Sequence, residues 1–330
     1  MTPNPRQRTR WGRYFVGDCE SLLRGRLGRS LRGRVQLILT SPPYPLNRKK
    51  SYGNLTGDEY RRWLVGLAPL FAELLRPDGS IVIELGNAWV AGRPVQSLLH
   101  LKSLTDFVEN RRAGLRLCQE FVCYNPSRLP SPAAWVTVRK DRVTDSFTHV
   151  WWMAKSDFPK ADNTRVLRPY SKDMRELLAR GFYNNGERPS QHTLSAKGFL
   201  RDRGGSIAQN VFEMEPINGQ PPRVPNAFRI ANTGSKDFFL RSCREHGVIP
   251  HPARMPAGLA SFFVRFLTDP GDVILDPFAG SNTTGFVAEL AGRRWVAIDK
   301  EERFVRQSRI RFRDPVLQSR RRQRTRRVER

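Results

Sequence analysis

Acidic residues are scarce in this chain: 31 Asp and Glu face 57 Lys and Arg, leaving a formal charge of +26 and a pI near 11.1 over 330 residues. The shortage of negative charge, in a composition neither fibrous nor disordered, points to a polyanionic partner, usually nucleic acid. An unusually basic soluble surface or ribosome association is the plainer alternative. Arginine outnumbers lysine, but GC-rich codon usage produces the same bias as phosphate recognition, so that excess carries little weight. Cysteine is sparse too. Cys19, Cys118, Cys123 and Cys243 show no close metal-ligand pairs and no dense framework, and read as reduced thiols of an intracellular protein. No run of roughly 18 apolar residues occurs, so no membrane-spanning helix is expected. Met1 to Arg10 is basic and no uninterrupted apolar stretch follows it, so no secretory signal is expected.

What is present is most informative at Thr40-Ser41-Pro42-Pro43-Tyr44, directly after the apolar run Val35-Gln36-Leu37-Ile38-Leu39. Val, Ile and Leu followed by two prolines read as a buried strand that stops abruptly, because proline cannot donate to a ladder. The loop beyond it has restricted φ and carries a hydroxyl, free carbonyls and an aromatic ring. In open α/β sheets ligands bind at that edge. Rigid acceptors beside a stacking ring suit a planar base with an exocyclic amine.

The rest of the chain alternates in kind. Strand patterns at 13–18, 35–39, 80–85, 120–124, 149–154, 273–276 and 295–299 are separated by helical patterns at 19–27, 58–75, 97–113, 257–267 and 281–290. Such alternation predicts an α/β fold with a largely parallel sheet covered on both faces. From about 156 to 250 the alternation breaks into a Pro-, Gly-, Asn- and Arg-rich stretch. Its phenylalanines favour a small folded accessory domain over a disordered insert. From Arg313 the chain is mostly charged, and the block Arg320 to Arg327 reads as a solvated tail.

A second motif, Asp276-Pro277-Phe278-Ala279-Gly280-Ser281-Asn282-Thr283-Thr284, lies between a strand and a helix. Gly280 permits a tight turn, and Ser281 or Asn282 can cap the helix. Asp299 closes the next strand 23 residues after Asp276, where an acid commonly holds ribose hydroxyls. A dinucleotide site would carry G-x-G-x-x-G here. One glycine, with bulky Phe278 just before it, argues instead for a nucleoside ligand without phosphates, and S-adenosylmethionine fits. An ordinary capped strand-turn-helix corner is the alternative for this motif alone.

Together these residues resemble the β-group DNA amino-methyltransferases of bacteria, and most of all the PvuII-type N4-cytosine modification methylases. The similarity runs through Ser41-Pro42-Pro43-Tyr44, Arg48-Lys49-Lys50, Tyr52-Gly53-Asn54, Asn125 to Pro132, Val150-Trp151-Trp152, Gly204 to Ile207, His251-Pro252-Ala253-Arg254 and Gly280 to Gly285, over residues 11–312. It implies a Rossmann-like, S-adenosylmethionine-dependent methyltransferase fold with a mostly parallel sheet, circularly permuted motif order and a smaller irregular DNA-recognition domain. Residues 11–155 would form the catalytic part, 156–250 the target-recognition domain, 251–312 the cofactor part and 313–330 a basic tail. Ser41, Pro42, Pro43 and Tyr44 would be catalytic. Asp276, Phe278, Gly280, Ser281 and Thr283 would surround the methionine end of the cofactor, Asp299 its ribose and Asp18 its adenine, with His251 covering it from the other side. A helix cap explains Asp18 equally well.

The resemblance implies transfer of a methyl group to N4 of a flipped cytosine, since extrusion is needed to reach the amine. Ser41 and the Pro42 carbonyl would accept its N–H bonds and return the lone pair to nitrogen, while Tyr44 stacks on the base. C5 methylation would need a cysteine nucleophile after a proline, and none of the four cysteines follows one. Adenine-N6 enzymes usually have Asp or Asn where Ser41 stands, so serine favours cytosine. Adenine-N6 methylation of DNA, RNA amino-methylation and a catalytically dead DNA-binding protein stay open as alternatives. Trp151 and Trp152 are adjacent in a strand, so at least one belongs to the core; Tyr124 and Trp135 are candidates for the base pocket. Base readout would fall to Arg188, Ser190, His192, Lys197, Arg201, Arg203 and Ser206, although phosphate contact is the commoner fate of such residues. Extended to specificity, the resemblance implies a six-base palindrome such as CAGCTG. Double-stranded DNA is the expected partner, in a bacterial cytoplasm and on its nucleoid, with a cognate restriction endonuclease acting as a separate protein. A single copy is the expected unit, with no metal and no membrane.

Overall fold

A computed structural model describes residues 4–44, 55–215, 224, 227–231 and 237–328. Its main sheet contains β1 (Gln7–Arg8), β2 (Gly12–Val16), β3 (Val35–Thr40), β4 (Leu75–Gly86), β5 (Arg116–Tyr124), β6 (Phe147–Ala154), β7 (Val211–Met214), β8 (Phe228–Ile230), β9 (Val273–Asp276) and β10 (Arg294–Asp299). They lie in the order β1-β2-β10-β9-β3-β4-β6-β5-β7-β8, and within this sheet only β1 and β6 oppose their neighbours. The helices are α1 (Cys19–Arg24), α2 (Arg26–Leu31), α3 (Gly57–Leu74), α4 (Leu99–Val108), α5 (Lys172–Arg180), α6 (Phe238–Glu245), α7 (Ala257–Leu267), α8 (Thr283–Leu290), α9 (Glu302–Arg311) and α10 (Pro315–Val328). Among the described residues no helix is long and apolar enough to cross a membrane.

Every residue of β3 is buried, as a central parallel strand covered on both faces requires. Its side chains alternate between two cores. Leu37 and Leu39 join Val82, Ile274 and the phenylalanines of α7, while Val35 and Ile38 join Ile81, Ile83 and the apolar faces of α1 to α4. Pro69 lies inside α3 and has no N–H for the Val65 carbonyl one turn back. The Asn110 side chain donates to that carbonyl instead, at 3.4 Å, so the helix continues through its proline.

The topology creates the site. From β9 the chain crosses to β10 on one side, and from β3 it crosses to β4 on the other. The strand order therefore reverses between β3 and β9, and the crevice beyond their carboxyl ends is where ligands enter such sheets. Pairing of Ile38 with Leu275 and of Thr40 with Ile83 brings Thr40, Asp276 and the end of β4 to that edge.

Two regions differ from the sequence expectation. The stretch 156–250 holds α5 and a short ribbon of Gly186–Glu187 with Thr193–Leu194, but β7 and β8 extend the main sheet in parallel beyond β5, and α6 packs on α9. The Arg-rich end is not a free tail. It forms α10, anchored by buried Leu317 and by Arg321, whose Nε donates to Glu289 at 2.9 Å. The Glu289 carboxylate is fully buried and also accepts from Thr9 and Trp295. Removing the guanidinium would take a charged donor from the buried Glu289 carboxylate and leave it the neutral donors Thr9 and Trp295. Arg321→Met is therefore expected to cost about 3 kcal/mol, read as a lower urea midpoint at unchanged slope.

Candidate active site

The second motif builds a cradle at the carboxyl ends of β9 and β10. Asp276 ends β9 and is buried; its Oδ1 accepts from the Phe278 N–H at 3.1 Å. Burial pushes its carboxyl up to about 6 despite that donor and the Thr40 hydroxyl. Gly280 has φ of 48°, its N–H donates to Asp299 Oδ2 at 2.8 Å, and its carbonyl accepts from the buried Tyr14 hydroxyl at 2.6 Å. A Cβ here would lie 3.2 Å from the His251 ring, so both the left-handed backbone and the close ring select glycine. Asn282, not Ser281, is the cap: in the left-handed region it accepts from the Gly285 N–H at 3.1 Å. Thr283 opens α8 and is buried with Ser281. Phe278 packs edge-on against Trp63 at 5.5 Å.

Asp299 accepts from Gly280 through one oxygen and from the Glu301 N–H, at 2.9 Å, through the other. Each oxygen keeps a second lone pair for a ligand hydroxyl. Burial raises its pKa. Asp18 caps α1 by accepting from Ser21 at 2.9 Å, and the preceding Gly17 N–H donates to the Asp299 carbonyl, so Asp18 stands at the rim of the same cradle. The His251 ring rests on Gly280 and on Phe304, and burial lowers its pKa, which favours neutral imidazole.

The proline loop meets this cradle directly. The Thr40 hydroxyl donates to Asp276 Oδ1 at 2.7 Å, inside the core. Beyond it the Ser41 hydroxyl lies 3.5 Å from the Tyr44 hydroxyl. The Tyr44 ring presses on Gly86 at the end of β4, where a Cβ would come within 2.5 Å of the ring. Gly86→Ala must therefore displace Tyr44 from the loop. We expect at least a tenfold lower single-turnover rate, on the scale of misplacing a group that orients the substrate; an unchanged rate would mean that the ring position is irrelevant.

Glu84, two residues before Gly86, is the participant that sequence reasoning missed. Its carboxyl is buried and accepts from Thr148 at 3.1 Å, with the Tyr44 and Ser41 hydroxyls and the Arg128 charge near enough to act on it. Burial pushes it up to about 7, whereas the hydroxyls and Arg128 pull it down. A lone carboxylate inside Ile81-Val82-Ile83-Glu84-Leu85 was the available signal, because a buried acid is costly unless used or paired.

The other sequence candidates fall elsewhere. Trp151 and Trp152 are both core residues, their ring N–H groups donating to Glu120 and Ser80. Among the described residues, no hydrogen bond or ring contact joins Tyr124 or Trp135 to Ser41 or Tyr44; the Trp135 ring instead carries the Arg139 guanidinium at 5.5 Å. Arg188, Ser190 and His192 form the turn of the short ribbon, with Arg188 N–H donating to the His192 carbonyl. Ser190, His192, Lys197, Arg201 and Arg203 are exposed, whereas Ser206 is half-buried and bridges to Arg168 through its backbone. Arg48-Lys49-Lys50 and Tyr52-Gly53-Asn54 lie outside the described residues. No group of three or more potential metal ligands occurs among the described residues.

Comparison with known proteins places the chain in a family. The sequence model of a DNA methylase family, the N6/N4 type, matches residues 35–309. The type II methyltransferase M.PvuII of Proteus hauseri is 39% identical over 312 residues, 94% of this chain and 86% of that protein. The solved structure of the PvuII DNA methyltransferase (cytosine-N4-specific) superposes with a TM-score of 0.70 at 33% identity, over 95% of this chain and 90% of that one. The fold recurs at 19% identity and a TM-score of 0.51 in TTHA0409 of Thermus thermophilus, complexed with S-adenosyl-L-methionine, over 91% of this chain and 93% of that one. A permuted methyltransferase sheet, a proline loop bonded to the cradle and a family match across most of the chain lead to one placement: this protein belongs to the N6/N4 DNA methylase family.

Proposed function

We propose that the chain is a site-specific DNA methyltransferase that uses S-adenosylmethionine to methylate the exocyclic N4 of a cytosine flipped out of a short duplex target. The bond from Thr40 to Asp276 carries this reading, because it holds the acceptor-bearing loop against the ligand cradle. The cradle fits the cofactor: Gly280 gives the tight left-handed turn on which the His251 ring rests, Asp299 keeps free lone pairs, and Ser281 and Thr283 belong to a turn without the glycines a pyrophosphate needs. Asp276, Phe278, Gly280, Ser281 and Thr283 would hold the amino-acid end, Asp299 the ribose and Asp18 the adenine edge, with His251 as the cover. When bound, S-adenosylmethionine supplies a methyl group activated by a sulfonium.

The chain's own residues prepare the amine. Ser41 Oγ and the Pro42 carbonyl accept its two N–H bonds, which draws the lone pair from the ring onto nitrogen. Pro42 and Pro43 fix the loop, so these acceptors need no reorganisation. Tyr44, braced on Gly86, offers its free face to the base. Once nitrogen has gained its methyl group it carries an extra proton, which Ser41 passes to the Glu84 carboxylate. No covalent enzyme intermediate is required.

Serine at position 41 supports cytosine over adenine. Nucleoside analysis of treated duplex DNA tests this: N4-methylcytosine is expected, and N6-methyladenine in its place would reverse the assignment. We assign target reading to the half-buried Arg188 and the exposed Ser190, His192, Lys197, Arg201 and Arg203, with Ser206 at the base of that region, for a palindrome such as CAGCTG. The setting is a monomer on the bacterial nucleoid, with a restriction endonuclease as a separate partner.

A further inference from the structure

Arg311, the last residue of α9, is 4% exposed, although it belongs to an arginine-rich segment. Its Nε donates to the Ser281 carbonyl and its Nη2 to the Ser281 hydroxyl oxygen, both at 3.0 Å. The rings of Phe239 and Phe286 lie 4.3 and 5.8 Å from its Cζ, and the Asp237 carboxylate approaches to 3.8 Å. A guanidinium taken out of water is expensive, and hydrophobic residues of similar volume often serve stability as well or better. Here its donors converge on one residue of the cradle turn.

That geometry constrains Ser281. A hydroxyl accepts through its lone pairs and donates one proton. Arg311 fills an acceptor position from the core side, and among the described residues the hydroxyl proton meets no acceptor. The rotor is therefore biased away from Arg311, toward the opposite side of the turn. We infer that Arg311 is a positioning residue that turns the Ser281 hydroxyl toward the carboxylate of the ligand's amino-acid end, and so sets preference for ligands that carry it. This rests on reading the turn as an S-adenosylmethionine cradle.

Calorimetry of the full chain with two ligands separates the possibilities. S-adenosylhomocysteine has the amino-acid end, while 5′-methylthioadenosine shares the nucleoside and thioether but lacks that end. Arg311→Met is expected to weaken S-adenosylhomocysteine by about ten- to a hundredfold, the scale of one hydrogen bond to a charged group, and to leave 5′-methylthioadenosine unchanged. Ser281→Ala keeps the carbonyl contact and should reproduce the selective loss. The double variant should lose no more than the worse single one, because both remove the same interaction. Equal weakening of both ligands by Arg311→Met would reduce Arg311 to a structural staple and overturn the inference. So would unaltered selectivity in Ser281→Ala, which also decides the matter if Arg311→Met does not fold. Failure of the unsubstituted protein to bind either ligand would instead remove the cradle reading beneath it.

Discussion

Glu84→Gln is expected to lower the methylation rate by roughly 10²- to 10⁴-fold, the usual contribution of a positioned proton acceptor, while making the protein more stable at alkaline pH. The two effects share one cause. Burial holds the Glu84 carboxyl at about 7 instead of its ordinary 4.5. In the proposed relay only the carboxylate can take the proton, so the unsubstituted enzyme should gain activity as pH rises through about 7. Glutamine has no such limb. Stability runs the other way, because the folded pKa is raised above the unfolded one. The stabilisation is fully present below about 4.5 and is lost as pH climbs through about 7, when a charge must be held in the core. That loss is about 3 kcal/mol, order of magnitude. Glutamine mimics the neutral acid, so the stability difference between variant and parent should grow by about that amount from pH 5 to pH 8.5. Urea denaturation at both pH values, set beside a pH–rate profile, checks both halves. A stability difference that ignores pH would show that Glu84 does not titrate in this range.

Much of this site is legible in the sequence because strand ends followed by chain breakers are local signals. Thr40 to Tyr44 and Asp276 to Thr283 each couple an apolar run to prolines or a glycine, and the structure places both at carboxyl ends of adjacent strands. Glu84 was hidden by its company, since an acid within a strand pattern is ordinarily assigned to a solvent face. Arg311 could not be singled out, because neighbouring Arg309 and Arg313 look the same and burial depends on α6 and α8 arriving around it. β7 and β8 have too few residues for a periodic signal; pairing with β5 makes them strands. The basic end reads as solvated for a similar reason. Its anchor, Glu289, is 32 residues away from Arg321 in sequence.

Thr40→Val is expected to reduce kcat by about a hundredfold with little change in KM for DNA. Valine preserves the shape and strand preference of the last residue of β3, so β3 should pair with β9 and β4 as before. What disappears is the 2.7 Å hydroxyl bond to Asp276, which ties the proline loop, proposed to hold the base, to the turn proposed to hold the cofactor. Alignment of reacting groups is worth many kcal/mol, and a misplacement of about 1 Å can cost a hundredfold. Thr40 is fully buried and faces Asp276, so the loss should fall on kcat. The substitution also removes one of the bonds that hold down the Asp276 pKa, already raised to about 6 by burial. If ionised Asp276 is what orders the turn, any acid limb of kcat that it governs must move to higher pH in the variant. Stability should fall by about 1–3 kcal/mol, because a buried carboxylate loses a donor. Single-turnover kinetics across pH, with melting as the control, separates these effects. A variant that melts earlier yet turns over at the parental rate would make the Thr40 bond a tie of the fold alone, and the coupling of the two loops would need another carrier.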